Sequence, residues 1–116
     1  MRFTKNVSEP WFSLIALGAK TVEGRLRKGD FLEAKEGDVV VWSNEELGFT
    51  RTHKTTITST KTYVSFEKYL QGEGLLKCLP APGVTSVAKG VRVYRQFFDK
   101  KDESRLGVVA IRLKPA

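Results

Sequence analysis

The stretch Gly18-Ala19-Lys20-Thr21-Val22-Glu23-Gly24-Arg25 closes one structural element and opens the next. Upstream of it, Trp11, Leu14 and Ile15 recur at i, i+3 and i+4, the spacing of one helical face, and Gly18 stands where a left-handed C-terminal cap belongs. Ser8 reads as the N-cap of this helix. Glu9 and Pro10 fall in its first turn, where an acid suits the helix dipole and proline lacks no needed donor. The spacing predicts a helix of about two and a half turns. Downstream, residues 20–26 alternate, with Val22 and Leu26 on one face and Thr21, Glu23 and Arg25 on the other, which predicts a strand.

Working outward, a short strand is expected over residues 2–5. A second compact strand covers residues 38–42, introduced by the turn pair Glu36-Gly37. Residues 49–64 are rich in threonine and β-branched side chains and read as one long strand or a hairpin. The period then changes. Ser65 can cap a short helix through Leu70, ended near Gly72 and Gly74, and residues 79–83 form an irregular loop. Val84, Val87, Ala88, Val91, Tyr94 and Phe98 share one helical face, with Lys89, Arg92 and Arg95 elsewhere on its surface. Gly90 within this helix costs about 1 kcal/mol relative to alanine. Residues 99–105 read as a polar loop and residues 108–113 as an apolar closing strand with Arg112 as its one charge. This order predicts an α+β fold: a small mixed or antiparallel β-barrel with flanking helices.

The chain has 116 residues, which fits a single domain over residues 1–116 able to bury roughly 65% of its unfolded surface without a metal or disulfide. Apolar residues make up 41% and charged residues 28%, values that exclude a disordered or collagen-like chain. With Cys78 as the one cysteine and His53 as the one histidine, neither a disulfide framework nor a zinc finger can be assembled, and no metal or cofactor is expected. Arg2 and Lys5 precede an apolar run over residues 11–17. That run is too short, and too broken by Ser13, for a signal peptide or a membrane span. A soluble intracellular protein is therefore expected: cytoplasmic, or nuclear in a eukaryote.

The pattern G-x-K-x-x-E-x-R in residues 18–25 resembles that of the activating signal cointegrator homology (ASCH) domain, a branch of the PUA-like β-barrels. Trp11 and Ile15 before the motif, Gly37-Asp38, Tyr63 with Phe66, Tyr94, and the closing run from Gly107 to Arg112 extend the likeness over nearly the whole chain. The resemblance implies a five- or six-stranded barrel with a cleft beside the motif. It also implies RNA binding or a coactivator-type protein-interaction role; some bacterial members hydrolyse an acetylated cytidine or cleave RNA. In the hydrolase branch a lysine and a threonine of the motif work with a later glutamate. Lys20 matches the lysine, and Glu73 is the counterpart of the distant glutamate. Glu23 stands at the hydroxyl position, with Thr21 out of register, a departure that argues against an amidohydrolase mechanism.

The residue chemistry can be read on its own. Glu23 and Arg25, two apart on a strand, project from one face and can meet each other or one ligand. Lys20 has the opposite parity and joins them only if the chain bends at the helix cap. Around one cleft, arginine offers a bidentate fork, lysine a point charge, and glutamate an acceptor for an exocyclic amine. Without a cleft, the same residues make an exposed ion pair and a stray lysine, worth roughly 0–1 kcal/mol. His53 could serve as an acid or base beside Lys20 in a metal-independent ribonuclease, although a histidine in a basic strand is more often solvated. Cys78 reads as a half-buried packing residue, Trp42 as core, and Trp11 as core or cleft wall.

The formal net charge is +7, from 20 Lys+Arg against 13 Asp+Glu. Three stretches each contribute +3: residues 20–28 (four bases, one acid), 47–66 (Arg51, Lys54 and Lys61, no acid) and 89–105 (six bases, three acids). Acids concentrate in residues 30–46, where six offset only Lys35. Segregated charge of this kind suits an anionic partner. The sequence therefore points to a nucleic-acid-binding module for RNA or another single strand, or for a modified nucleoside. Lys20, Glu23 and Arg25 are expected in the cleft, Arg51, Lys54 and Arg95 on phosphates, and Trp11 or Tyr94 against a base. The alternatives are a hydrolase of an N4-acetylated cytidine or a ribonuclease, using Lys20, Glu23 and Glu73, and a protein-interaction module.

Overall fold

The computed structural model describes residues 1–116. In chain order the elements are β1 (Arg2–Asn6), α1 (Trp11–Ala16), β2 (Val22–Leu26), α2 (Asp30–Glu33), β3 (Val39–Asn44) and β4 (Arg51–Tyr63). Then follow α3 (Phe66–Glu73), α4 (Leu75–Cys78), α5 (Val87–Arg95), α6 (Lys100–Leu106) and β5 (Val108–Pro115). The five strands form one mixed sheet in the order β1-β3-β4-β5-β2, parallel between β1 and β3 and antiparallel elsewhere.

The threonine-rich segment is one strand and not a hairpin. Its first half pairs with β3 and its second with β5, so β4 is the spine of the sheet. The register shifts between Ile57 and Ser59, a bulge that adds bend and twist where the strand changes partners. The result is the expected α+β architecture, a mixed five-stranded sheet curled into a half-barrel with flanking helices: β1 and β2 are its two edges, and no ladder joins them. The core fills the concave side. Val40, Trp42, Ile57, Val108 and Ile111 from the sheet are buried against Phe66, Tyr69 and Leu70 of α3. Gly90 has a packing reason. A Cβ there would lie 2.8 Å from the Leu70 side chain and 3.1 Å from Leu75, so glycine is what lets α5 lie closely on α3 and α4.

Three local expectations are corrected. Ser8 does not cap α1 with its side chain. Pro10, expected in the first turn, is the N-cap and makes no side-chain cap bond; Glu9 just before it accepts from the Ser13 backbone N–H at 2.9 Å and from Ser13 Oγ at 2.6 Å, and the helix is six residues long, under two turns. Residues 20 and 21 do not belong to β2, because Lys20 N is drawn back to Leu14 O at 3.0 Å and Thr21 N to Lys77 O at 3.1 Å. The polar loop over residues 99–105 is largely α6. Asp99 caps it by accepting from Asp102 N at 2.7 Å, and the buried Glu103 anchors it by accepting from Phe66 N and from Arg95. The short helices α2 and α4 also had no forecast.

Candidate functional site

The site is built from the end of α1. Gly18 adopts φ 78°, with Gly18 N donating to Ile15 O and Ala19 N to Leu14 O, each at 3.0 Å. This paired arrangement is a Schellman ending. It turns the chain so that Lys20 points inward despite its strand parity. The Lys20 ammonium is buried and donates to Val22 O at 2.8 Å and to Cys78 O, and it lies 3.2 Å from Glu23 Oε1. Its three donors are thus all engaged. Glu23 accepts from its neighbour Gly24 N at 3.0 Å and from Arg25 Nε at 3.3 Å.

Because β2 is an edge, Val22 O and Gly24 N are groups that a neighbouring strand would otherwise take. The side chains of Lys20 and Glu23 occupy both of them, so the motif seals its own strand edge. Burial pushes the Glu23 carboxyl up, but Lys20, Arg25 and the Gly24 N–H outweigh it and hold the pKa below the ordinary carboxylate value. Tyr94 and Tyr69 share a hydrogen bond of 2.9 Å, and Tyr94 lies 3.5 Å from Glu23 Oε1. Burial raises both phenols well above their ordinary range, so they stay neutral donors. Gly24 is required here for space: a Cβ would come within 2.6 Å of the Tyr69 ring.

Beside this cluster, between the unpaired edges of β1 and β2, lies a cleft of about 320 Å³. Trp11, Leu79, Val93, Tyr94, Phe97 and Phe98 make its apolar walls, and Glu23 and Arg25 are its charged groups. Arg25 spans the seam. Its Nη2 donates to Asn6 O of β1 at 2.8 Å, while its guanidinium lies 5.6 Å from the Phe31 ring centre and 5.5 Å from that of Trp42. Nη1 has no protein partner.

A model of the ASCH domain family matches residues 6–116. The chain belongs to the ASCH domain family. That family is generally thought to bind RNA. The fold is similar to that of a hypothetical protein, PH0355, known from a crystal structure, at 36% identity over 100% of both chains with a TM-score of 0.86. It is also similar to protein PF0455 from Pyrococcus furiosus, solved in solution by NMR. There the identity is 36%, the TM-score 0.76, and the coverage 99% of this chain and 97% of that one. A comparison with curated proteins found no match.

In this ASCH domain Glu23, Arg25, Trp11 and Tyr94 all line the cleft, and Lys20 stands behind Glu23, with its ammonium 5.8 Å from the Trp11 ring centre. The other candidates are not brought there. Glu73 is taken up by Arg112, at 2.8 Å to both Nε and Nη2, and by the Tyr63 hydroxyl at 2.6 Å. Arg51 is held by Glu9 at 3.0 Å and Asn44 at 2.8 Å, and Arg95 by Glu103 at 2.8 Å. Lys54 is exposed on β4, opposite Val41 of β3. His53 shares only a small cavity of about 50 Å³ with Lys20. Trp42 is core, with Nε1 donating to Thr55 Oγ1 at 2.9 Å, and Cys78 is fully buried, its thiol pushed up to about 11 by burial.

The sequence reading missed Asn6, Ser8, Phe97 and Phe98 as cleft residues. One signal was available for the aromatics. Two consecutive phenylalanines at the end of an amphipathic helix cannot both face the core. Phe98 is half-buried, and Phe97 is 52% exposed at the cleft mouth.

Proposed function

We propose that this ASCH domain binds single-stranded RNA by seating one unpaired base in the cleft at the seam. The observation that carries this reading is a carboxylate and a guanidinium placed together inside a cleft whose walls are mainly aromatic and aliphatic, with Asn6 and Ser8 as its uncharged polar residues. A base has a flat apolar face and a polar edge, and the cleft complements both. Stacking on Trp11 or Phe97 supplies about 1–3 kcal/mol per base. Glu23, held ionised by Lys20 and Arg25, accepts from an N–H on the base edge, and Arg25 Nη1 donates to a ring acceptor or to the adjoining phosphate. Tyr94 orients the Glu23 carboxylate. Lys20 is a positioning residue that neutralises Glu23 from behind. A duplex would present this edge already paired, so an unpaired or modified nucleotide is the fitting ligand.

The chemistry favours binding over hydrolysis. An ammonium whose three donors are engaged, with a carboxylate against it, is poorly suited to act as a base or nucleophile. Glu73, committed to Arg112 and Tyr63, supplies no second acid to the cleft.

Filter binding of labelled single-stranded RNA over a salt series tests the reading. Affinity should fall as salt rises, Arg25→Ala should lower it at least tenfold, and Glu23→Gln should change the preference among bases. RNA binding that is indifferent to salt and to both variants would overturn it. Turnover of N4-acetylcytidine or of the RNA itself would reinstate an enzyme.

A further inference from the structure

We infer that the seam holds a second nucleotide subsite on the far side of Arg25, so that the ligand is an RNA strand of at least two nucleotides and not a free nucleoside. This rests on the reading of the first cleft as a base site. A second cleft of about 230 Å³ is lined by Lys5, Arg25, Leu26, Lys28 and Phe31, and it shares Arg25 and Phe98 with the first. The order of residues along both edge strands shows that the two clefts are consecutive. On β2 the lining runs from Glu23 and Gly24 in the first cleft, through Arg25, to Leu26 and then Lys28 in the second. On the β1 side it runs the opposite way, from Lys5 in the second cleft to Asn6, Val7 and Ser8 in the first. The two clefts therefore follow one another along the open seam, with the Arg25 guanidinium between them.

The two halves differ in charge. The first is aromatic and contains a carboxylate, which accepts base N–H groups and repels phosphate. The second contains Lys5 and Lys28 beside Arg25, with Leu26, Phe31 and Phe98 as apolar lining. Lys28 is exposed and has no ion-pair partner, and Lys5 is opposed only by Asp30, at 3.0 Å and itself 43% exposed. A nucleic-acid strand alternates a flat base with an anionic linkage, and the seam offers that same alternation: base pocket, then guanidinium, then lysines. The phosphate adjoining the seated base meets Arg25 Nη1, the next nucleotide lies along Phe98, and the phosphates beyond it meet Lys5 and Lys28. A mononucleotide would leave the lysine half unused.

Isothermal titration with the four nucleoside 5′-monophosphates, and with tetraadenylate, tetracytidylate and tetrauridylate, separates this inference from the reading beneath it. For the preferred base, the tetranucleotide should bind at least tenfold tighter than its monophosphate. The double variant Lys5→Gln/Lys28→Gln, confirmed as folded by circular dichroism, should erase that gain and leave monophosphate binding unchanged. It should also lower the salt slope of tetranucleotide binding by about 1.4, the value for two single-strand phosphate contacts. Monophosphate and tetranucleotide of equal affinity, or a gain that survives the double variant, would overturn the second subsite and leave the base cleft standing. If neither probe binds the wild-type protein, the base cleft falls and the second subsite falls with it.

Discussion

Glu23 and Glu73 make an instructive pair. Each is a buried or half-buried glutamate held ionised by arginine, and each has a tyrosine hydroxyl beside it. At Glu73 the Arg112 fork closes on both carboxylate oxygens, and the group ties the end of α3 to β5 and lines none of the three clefts described above. At Glu23 the cations approach from behind and from one side, and an aromatic-walled volume opens next to the carboxylate. The same chemistry thus makes a staple in one place and a recognition group in the other. The difference comes from the sheet. β5 is paired on both sides, whereas β2 is an unpaired edge facing another unpaired edge.

That contrast can be broken by substitution. The largest effect is expected from Glu23→Ala. It leaves the Lys20 ammonium buried without a counter-charge, next to the Arg25 guanidinium, and should cost about 3–5 kcal/mol in denaturant unfolding, together with RNA binding. Gly24→Ala comes next. Its Cβ would lie 2.6 Å from the Tyr69 ring, so Tyr69 must shift, and overpacking of this kind costs about 1–3 kcal/mol by thermal melt. Glu73→Ala should cost less, about 1–2 kcal/mol, because water can reach the partly exposed Arg112. It should also leave RNA affinity within twofold of wild type. A tenfold loss of affinity in Glu73→Ala would erase the distinction between staple and site.

The smallest expected effect is on pH dependence. The pKa of Glu23 is depressed below 4.5, as are those of Glu73 and Glu9, and that of Asp38 is depressed below 3.8. A depressed folded-state pKa contributes stability above the unfolded value, and that stability is lost as pH falls through the folded value. Unfolding free energy should therefore drop steadily below about pH 4.5. In Glu23→Gln the curve should start lower at pH 7 and fall less steeply in acid. Parallel curves for the two proteins would place the acid sensitivity elsewhere.

What could be read from the sequence was what short-range spacing encodes. Trp11, Leu14, Ile15 and Gly18 announce a helix and its cap, and Lys20, Glu23 and Arg25 announce a polar cluster beside it. The turn of Lys20 toward Glu23 depended on backbone bonds to Leu14 and to the distant Lys77, which no local pattern shows. The Cys78 carbonyl that receives Lys20 carries no side-chain signal at all. α6 was hidden because its buried anchor is a glutamate, Glu103, so its sequence lacks the apolar stripe that marks a helix. The open seam was beyond reach for a similar reason. Residues 5–8, 23–28 and 93–98 converge only because the sheet curls without closing.

The two tryptophans provide the most direct test, since they sit on opposite sides of the distinction between site and scaffold. Trp11 lines the cleft, and Trp42 is fully buried with its indole N–H held by Thr55. In a ¹H–¹⁵N NMR titration with single-stranded tetranucleotides, the Trp11 indole resonance and the amides of Glu23, Gly24 and Arg25 should move together. The Trp42 indole and the amides around Glu73 and Arg112 should stay in place. RNA binding that shifts the Glu73–Arg112 face and leaves the Trp11 indole unmoved would contradict a base seated in the seam.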